Sequence, residues 1–535
     1  MKKICITILF SLTMYMAQGQ VVFNKIIEDT IAHITSSVIA LDTGYVYLTG
    51  TGNEYNVRSF ALTYLNETGE KQWKHVYGDS QNEFWEGWFG NYKKMNDISY
   101  LAGPYVNPSE GKKGIHITKY DNSFNLIFQD IIFYDSIDKR AYYTNLLSDN
   151  CYYIIGAVDC VDIEQFKLIL VKADSNGNYL WHKSYGPNVY EYGSYLIETS
   201  KGEILTGGST WVTDIEDTRW YLLKTDTAGN VIWEQEYGRN NYDNGKVNGL
   251  IETQDSNYLA CGAYPAASYG SETLYDGCLR KIDTAGELIW EKHYRNYSCY
   301  PEGDGIRIRS SISSVIQLDN KDLVFIGSSY WYYSQYRGYM IKTDADGNIK
   351  WHRYYYAVDT NSYAQYLVSF KPTNDNGFIL AGYGNEYDYF GYDPPQQAWL
   401  VKTDSLGMDG LSNTEPDALQ VDVDLPDTAC HNDTIPVQIQ IAGKSAPYTI
   451  SFSTGQVIDS LYYPPTFVPQ EIGLGIVSLW TGEIPDYNYH TDTITEATIT
   501  NHEWGHCIVK DVNFHTPAAT GDHNIQITLT DAYGE

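Results

Sequence analysis

The 535 residues carry 36 Lys and Arg against 67 Asp and Glu, a formal charge of −31. That balance argues against nucleic acid as a partner, because phosphate binding needs clustered Lys and Arg. The length allows two to four domains, and no apolar run is long enough to span a bilayer.

The first element reads as a leader. Lys2 and Lys3 precede an apolar run from Ile4 to Ala17, and Ala17-Gln18-Gly19 has the small-x-small form of a cleavage site. Residues 1–19 are therefore expected to be a signal peptide, cleaved near Gly19, and the mature chain to be secreted or held at the cell surface. Cys5 would leave with the leader, so seven of the eight cysteines remain. Export permits disulfides. Cys261 with Cys278, on neighbouring strands, is the first candidate pair. Cys151 with Cys160 and Cys430 with Cys507 are others, and buried thiols are the alternative. The Cys-x-x-Cys spacing of a metal site does not occur.

From residue 20 to 411 one unit recurs, Lys-x-Asp-x-x-Gly-x-x-x-Trp. It reads Lys172, Asp174, Gly177, Trp181; then Lys224, Asp226, Gly229, Trp233; then Lys281, Asp283, Gly286, Trp290; then Lys342, Asp344, Gly347, Trp351. A period of about fifty to sixty residues indicates a propeller or a solenoid. Each copy splits into two hairpins, the second turning on a Gly suited to positive φ, as Gly229 between Tyr221–Asp226 and Val231–Tyr237. Two hairpins make the four strands of a propeller blade. First hairpins end at Gly50, Gly103, Gly156, Gly207, Gly262, Gly327 and Gly382; second hairpins turn at Gly69, Phe124, Gly177, Gly229, Gly286, Gly347 and Gly407. There are seven of each. One copy has Phe124 for the Gly and Phe128 for the Trp; the first keeps Trp73 but has Tyr64 and Asn66 for Lys and Asp.

The copy at Lys402, Asp404 and Gly407 stops without its Trp strand, and Leu411 stands at that position. At the other end, Phe23 and Ile27 repeat the spacing of Trp181 and Tyr185. The expected fold is all-β: a seven-bladed propeller over 20–411, closed by the N-terminal strand, which removes open sheet edges. An open solenoid would need capping repeats instead. The repeated Trp is expected to wedge between blades, with Lys and Asp dressing the turn. Asp344 to Asn348 has some calcium-loop character, which makes a divalent cation a possible partner. Its sister turns carry Ala or Ser and no distal Glu follows, so turn chemistry is the simpler account.

Within-hairpin turns share one face of such a disk; the longer connections share the other. Those connections are rich in Tyr and Trp mixed with Asp, Glu and Asn. Loops on a rigid scaffold are where binding concentrates, and Tyr and Trp give large contact area with a polar tip. The candidate ligand-binding residues are Trp85, Trp88, Tyr190, Tyr192, Trp211, Trp220, Trp331, Tyr336, Tyr387, Tyr389 and Trp399. Packing of the loops on themselves would account for the same composition.

Residues 412–425 read as a polar linker, and 426–535 as a β-sandwich region, with alternation in Ile435–Ile441 and Ile525–Thr530. Within it, His502-Glu503-Trp504-Gly505-His506 fits His-Glu-x-x-His, in which two His on a helix bind zinc and Glu is the general base. The flanks Thr495–Ile499 and Cys507–Val512 are β-rich, so coincidence is the simpler account, with His502, Glu503 and His506 kept as metal candidates. The sequence stops at Glu535, at the end of a strand; one expectation is that the region continues in a longer protein.

The stretch Leu170 to Trp181 resembles the repeat of PQQ-type propellers, and the whole 20–411 region resembles the secreted propellers of Bacteroidota, many of them type IX secretion cargo. Ala446–Phe452 and Thr530–Gly534 resemble the Ig-like or PKD-like repeats of surface adhesins. These resemblances imply an exported propeller followed by an adhesive β-sandwich. No quinone-binding or catalytic motif of the dehydrogenases falls on a numbered residue here, so no cofactor is implied. The expected function is a secreted or cell-surface, non-catalytic binding or adhesion protein, whose loop face takes an extracellular glycan or protein. The alternatives are a glycan hydrolase or lyase, which would need two converging carboxylates, and a zinc peptidase using His502, Glu503 and His506.

Overall fold

A computed structural model describes most of residues 21–411; beyond 411 it describes essentially strands alone, and before 21 only Ile4–Ile8. Within 21–411, residues 28–31, 53–57, 80, 86–91, 96, 108, 111, 134–138, 161–164, 187–189, 213–216, 239–244, 270–271, 295–307, 332–336, 357–361 and 387–396 lie outside the described set.

The described chain is all-β. Seven groups of strands follow one another. Sheet 1 is Ala32–Leu41, Gly44–Gly52, Arg58–Asn66 and Lys71–Tyr77. Sheet 2 begins with two short pieces, Glu83–Phe84 and Lys93–Met95, both paired to Ile98–Asn107, followed by Lys112–Asp121 and Leu126–Phe133. Sheet 3 is Lys139–Leu146, Tyr152–Cys160, Gln165–Ala173 and Tyr179–Tyr185; sheet 4 is Tyr190–Glu198, Ile204–Val212, Asp217–Thr225 and Val231–Tyr237. A single parallel bridge, Phe166 to Tyr190, joins these two. Sheet 5 is Lys246–Glu252, Tyr258–Tyr269, Glu272–Ile282 and Leu288–Tyr294; sheet 6 is Ile308–Gln317, Leu323–Trp331, Arg337–Thr343 and Ile349–Tyr355. Sheet 7 takes three strands from the end of the series, Ser362–Pro372, Phe378–Glu386 and Gln397–Thr403. Its fourth strand is Phe23–Ile27, antiparallel to Gln397–Thr403 with Lys25 opposite Leu400.

The middle strands are buried on both sides, and their sequences show it. Tyr152 to Ile155 and Leu168 to Val171 are unbroken apolar runs, none of them more than 1% exposed. A sheet with one wet face would have alternated. The apolar clusters accordingly lie between sheets. One joins Ile154 of sheet 3 to Ile115 of sheet 2, and another joins Met340 of sheet 6 to Leu380 of sheet 7. A further cluster joins Phe23 and Leu400 of sheet 7 to Val38, Tyr47 and Leu65 of sheet 1.

The repeat motif makes the same joint at each sheet boundary. The Trp of one sheet covers the turn Gly of the next: a Cβ added to Gly229 would lie 2.9 Å from Trp181 Cη2, and one on Gly407 would lie 2.9 Å from Trp351 Cη2. The Tyr four residues after the Trp donates its hydroxyl to that Gly's carbonyl, Tyr185 to Gly229 at 2.8 Å, Tyr294 to Gly347 at 2.8 Å and Tyr355 to Gly407 at 2.8 Å. Phe23 covers Gly69 of sheet 1 in the same way. In the degenerate copy, Phe124 keeps the turn with φ 61°, lies 5.2 Å from Trp73 between ring centroids, and accepts from Tyr77.

Asp builds its own turn, whereas Lys does not. Asp344 Oδ1 accepts from the backbone N–H groups of Asp346 and Asn348, and Oδ2 from the Asn348 amide. Three donors thus hold this carboxylate into its own turn, as the equivalent N–H bonds hold Asp174 and Asp226. Lys reaches instead to an acid in the other hairpin turn of its own sheet. Lys172 meets Asp149 at 2.7 Å, Lys281 meets Asp255 at 2.6 Å and Lys402 meets Asp375 at 2.8 Å. Both turns of each of these sheets therefore lie on one face.

Beyond the seventh sheet, Gln420–Asp424, Thr434–Ala442, Cys507–His515, Ala497–Asn501 and His490–Ile494 form one sheet. Its first strand starts inside 412–425, the span expected as linker, because Val421 and Val423 alternate with polar neighbours. A second sheet holds His523–Thr530, Tyr448–Phe452 and Val457–Leu461, with Ile4–Ile8 parallel to His523–Ile527 at its edge. Ile4–Ile8 alternates Ile with Cys and Thr, a pattern an open sheet edge accepts. Cys261 and Cys278 are not joined. They sit opposite Leu279 and Gly262 respectively, a one-residue offset that turns their side chains to opposite faces of the sheet. Cys151 is also a thiol, so it does not pair with Cys160; Cys430 lies outside the described residues.

Candidate binding face

Opposite the paired turns, the described residues form a rim of aromatic and charged side chains. On sheet 2, Trp85 follows the short strand Glu83–Phe84. Its backbone N–H donates to Pro104, and its carbonyl accepts from His116 Nε2 at 2.8 Å. Gly103 makes room for this carbonyl, which would lie 2.0 Å from an added Cβ. The indole N–H donates to Glu83 at 3.1 Å, and the Arg58 guanidinium of sheet 1 sits 3.5 Å from the ring centroid. The ring is half-buried. His116 is fully buried and stacked 5.5 Å from Phe60. Burial pushes its pKa down to about 4 against the opposing pull of its bond to the Trp85 carbonyl. It is therefore neutral at pH 7, with Nε2–H as donor and Nδ1 facing Thr118 Oγ1 at 3.1 Å.

A second group lies where sheets 3 and 4 meet. Phe166 stacks on both Tyr190 and Tyr192, with centroids 5.9 and 5.7 Å apart. Trp211 pairs directly with Tyr190 across the adjacent strand. Tyr190, Tyr192 and Trp211 are half-buried, while Glu191 between the tyrosines is buried and ion-paired to Lys167 at 3.2 Å.

Two other candidates do not belong to a surface. Trp220 is buried between sheets 4 and 5, donating to Ala263 at 3.0 Å under the Arg280 guanidinium, 4.4 Å from its centroid. Trp399 is buried in sheet 7 and donates to Asn24 Oδ1 at 2.7 Å. Both sit on third strands, which are covered on both faces; their closeness to loops in sequence concealed this. Trp331 ends a strand opposite Ile308. Trp88, Tyr336, Tyr387 and Tyr389 lie outside the described residues, as do His502, Glu503 and His506, which fall between Ala497–Asn501 and Cys507–His515. Sequence reading missed Arg58, His116 and Phe166, which hold the rim aromatics; none belongs to the repeat motif.

Cys278, Glu291 and His293 are the one group among the described residues whose ligand atoms converge, within 4.8 Å. Glu291 is already bound to Arg280 at 2.6 Å and to His293 at 2.7 Å. A guanidinium on the carboxylate opposes a second cation there, so these residues read as a buried ion-pair network.

No family model matches the chain, and no curated protein matches it. Solved structures do match at low identity. A puromycin-hydrolyzing peptidase of Mycobacterium tuberculosis is 8% identical with a TM-score of 0.40, covering 77% of this chain; the chain spans 58% of the peptidase's length. A fungal alcohol oxidase of the AA5 family, in complex with copper, is 10% identical with a TM-score of 0.42, covering 96% of this chain and 97% of its own. The β-propeller domain of the Trilobed protease from Pyrococcus furiosus is 10% identical with a TM-score of 0.37, covering 71% of this chain and 98% of its own. The propeller class stands on this chain's own strand order and repeated joints.

Proposed function

We propose that the seven sheets are the blades of one closed ring and that the chain is an exported, non-catalytic binding protein. Its ligand is an extracellular glycan or protein, held on the aromatic rim opposite the paired turns. The observation that carries this reading is Trp85. An indole left half-exposed between Arg58 and Glu83 is held from behind by buried His116, so its position is fixed before any ligand arrives. A pre-positioned aromatic face beside charged groups suits the C–H face of a sugar with its hydroxyls, or an apolar protein anchor with a polar margin.

The test is a glycan array and a cell-adhesion assay with the full-length protein, Trp85→Ala and the Tyr190→Ala/Tyr192→Ala double variant. Saturable binding that falls at least tenfold in either variant is expected. Binding unchanged by both variants, or no binding in either assay, would overturn the reading.

A further inference from the structure

The seven first strands carry one equivalent position each, fixed by register. It lies across from the second-strand residue that itself faces the repeat Lys or its counterpart. The residues are Ile39, Lys93, Asn145, Ile197, Ile251, Ile316 and Lys371. First strands from sheet 3 round to sheet 1 touch one another in turn, and the first strand of sheet 3 touches Ile98–Asn107 of sheet 2. Five members are apolar or neutral and two are lysines.

Lys93 reaches from sheet 2 to sheets 3 and 4. Its ammonium lies 4.6 Å from the Tyr143 ring of sheet 3 and 5.5 Å from the Tyr195 ring of sheet 4, and those rings are 4.1 Å apart. Lys371 enters from sheet 7. Six other lysines of the sheets, Lys167, Lys172, Lys224, Lys281, Lys342 and Lys402, have carboxylate partners. Among the described residues neither Lys93 nor Lys371 has one, although the chain carries 67 Asp and Glu. Both keep partial contact with solvent. Burial pushes both amines down, and repulsion from Lys371 adds to the shift of Lys93. Two half-buried ammonium groups without a carboxylate partner are costly unless an anion answers them.

We infer that the centre of the ring, at the level of Lys93 and Lys371, is a binding site for an oxyanion: a phosphate, sulfate or carboxylate group that accepts from both ammonium groups beside the Tyr143–Tyr195 pair. The site is separate from the aromatic rim and stands whether or not the rim binds a glycan or a protein.

Thermal unfolding of the full-length protein in phosphate, sulfate or glucuronate, against chloride at matched ionic strength, tests it. The three arms separate a free inorganic anion from an acidic sugar. At least one oxyanion should raise the midpoint saturably by several degrees. Lys93→Met and Lys371→Met should each remove the rise while raising the midpoint in chloride, because an unanswered charge is gone. Acetic anhydride labelling read by mass spectrometry supplies a second readout, in which the same oxyanion should protect Lys93 and Lys371 at least fivefold and leave Lys201 unchanged. Equal midpoints in all salts, an oxyanion rise that persists in the double variant, or labelling of both lysines unaffected by oxyanion would each overturn the inference.

Discussion

His116 ties the stability of the fold to pH. Its folded pKa, about 4, lies below its ordinary value of 6.5. The unfolded chain therefore takes up the proton first, and the stabilisation is complete above pH 6.5. It is lost as pH falls from 6.5 towards 4, by about 3 kcal/mol at most. Urea unfolding at steps between pH 7 and 4 should show this slope, and His116→Gln should flatten it; equal slopes would contradict the assignment. A smaller effect is expected at the sheet joints. Tyr185→Phe removes one hydroxyl donor from the Gly229 carbonyl and should cost about 1–2 kcal/mol, read as a shift of the urea midpoint with unchanged slope. At this scale the sequence was a poor guide. Trp220 and Trp399 looked like loop residues because they lie near long connections, yet each is on a third strand with both faces covered. His116 was invisible for the converse reason: nothing local marks a residue whose role is to hold a carbonyl 31 positions earlier.

The hairpin was the most legible element. Lys-x-Asp-x-x-Gly gave the turn, its positive φ and the Trp strand after it, because each follows from local chemistry. The partner of the Lys was not legible, since it sits on the other hairpin, 23 residues away for Lys172 and Asp149. Aligned first strands would have exposed Lys93 and Lys371 as charged residues in a mostly Ile column. The degenerate turn supplies a prediction. Phe124 holds a left-handed conformation that costs a bulky residue on the order of 1 kcal/mol, but its ring also packs on Trp73. Phe124→Gly removes both the strain and the contact, so it should change stability by less than about 1 kcal/mol. Gly229→Ala introduces the strain and adds a clash with Trp181 and the Tyr185 hydroxyl, and should cost about 2–3 kcal/mol. A larger loss for Phe124→Gly than for Gly229→Ala in denaturant titrations would contradict this account of the turns.

For the whole molecule, the joint between last and first sheets matters most. Asn24 accepts from Trp399, and donates to Asp409 at 2.8 Å and to the Tyr356 carbonyl at 2.9 Å. The N-terminal strand is thereby held to sheet 7, to the exit of sheet 6 and to the chain beyond Gly407. Phe23 adds the same cover over Gly69 that Trp181 gives Gly229. The sequence foretold this strand through a missing Trp at one end and an aromatic residue at the other. It could not foretell the C-terminal sheets, whose alternation is generic. Removal of residues 1–19 on export would leave Phe23 as the fourth residue, and intact-mass measurement of secreted protein should find a chain starting at Gln20. The most direct test of the ring is hydrogen exchange of the native protein at the Phe23–Ile27 amides. The closed ring predicts that they exchange as slowly as those of Gln397–Thr403; exchange at the rate of an unpaired tail would contradict it.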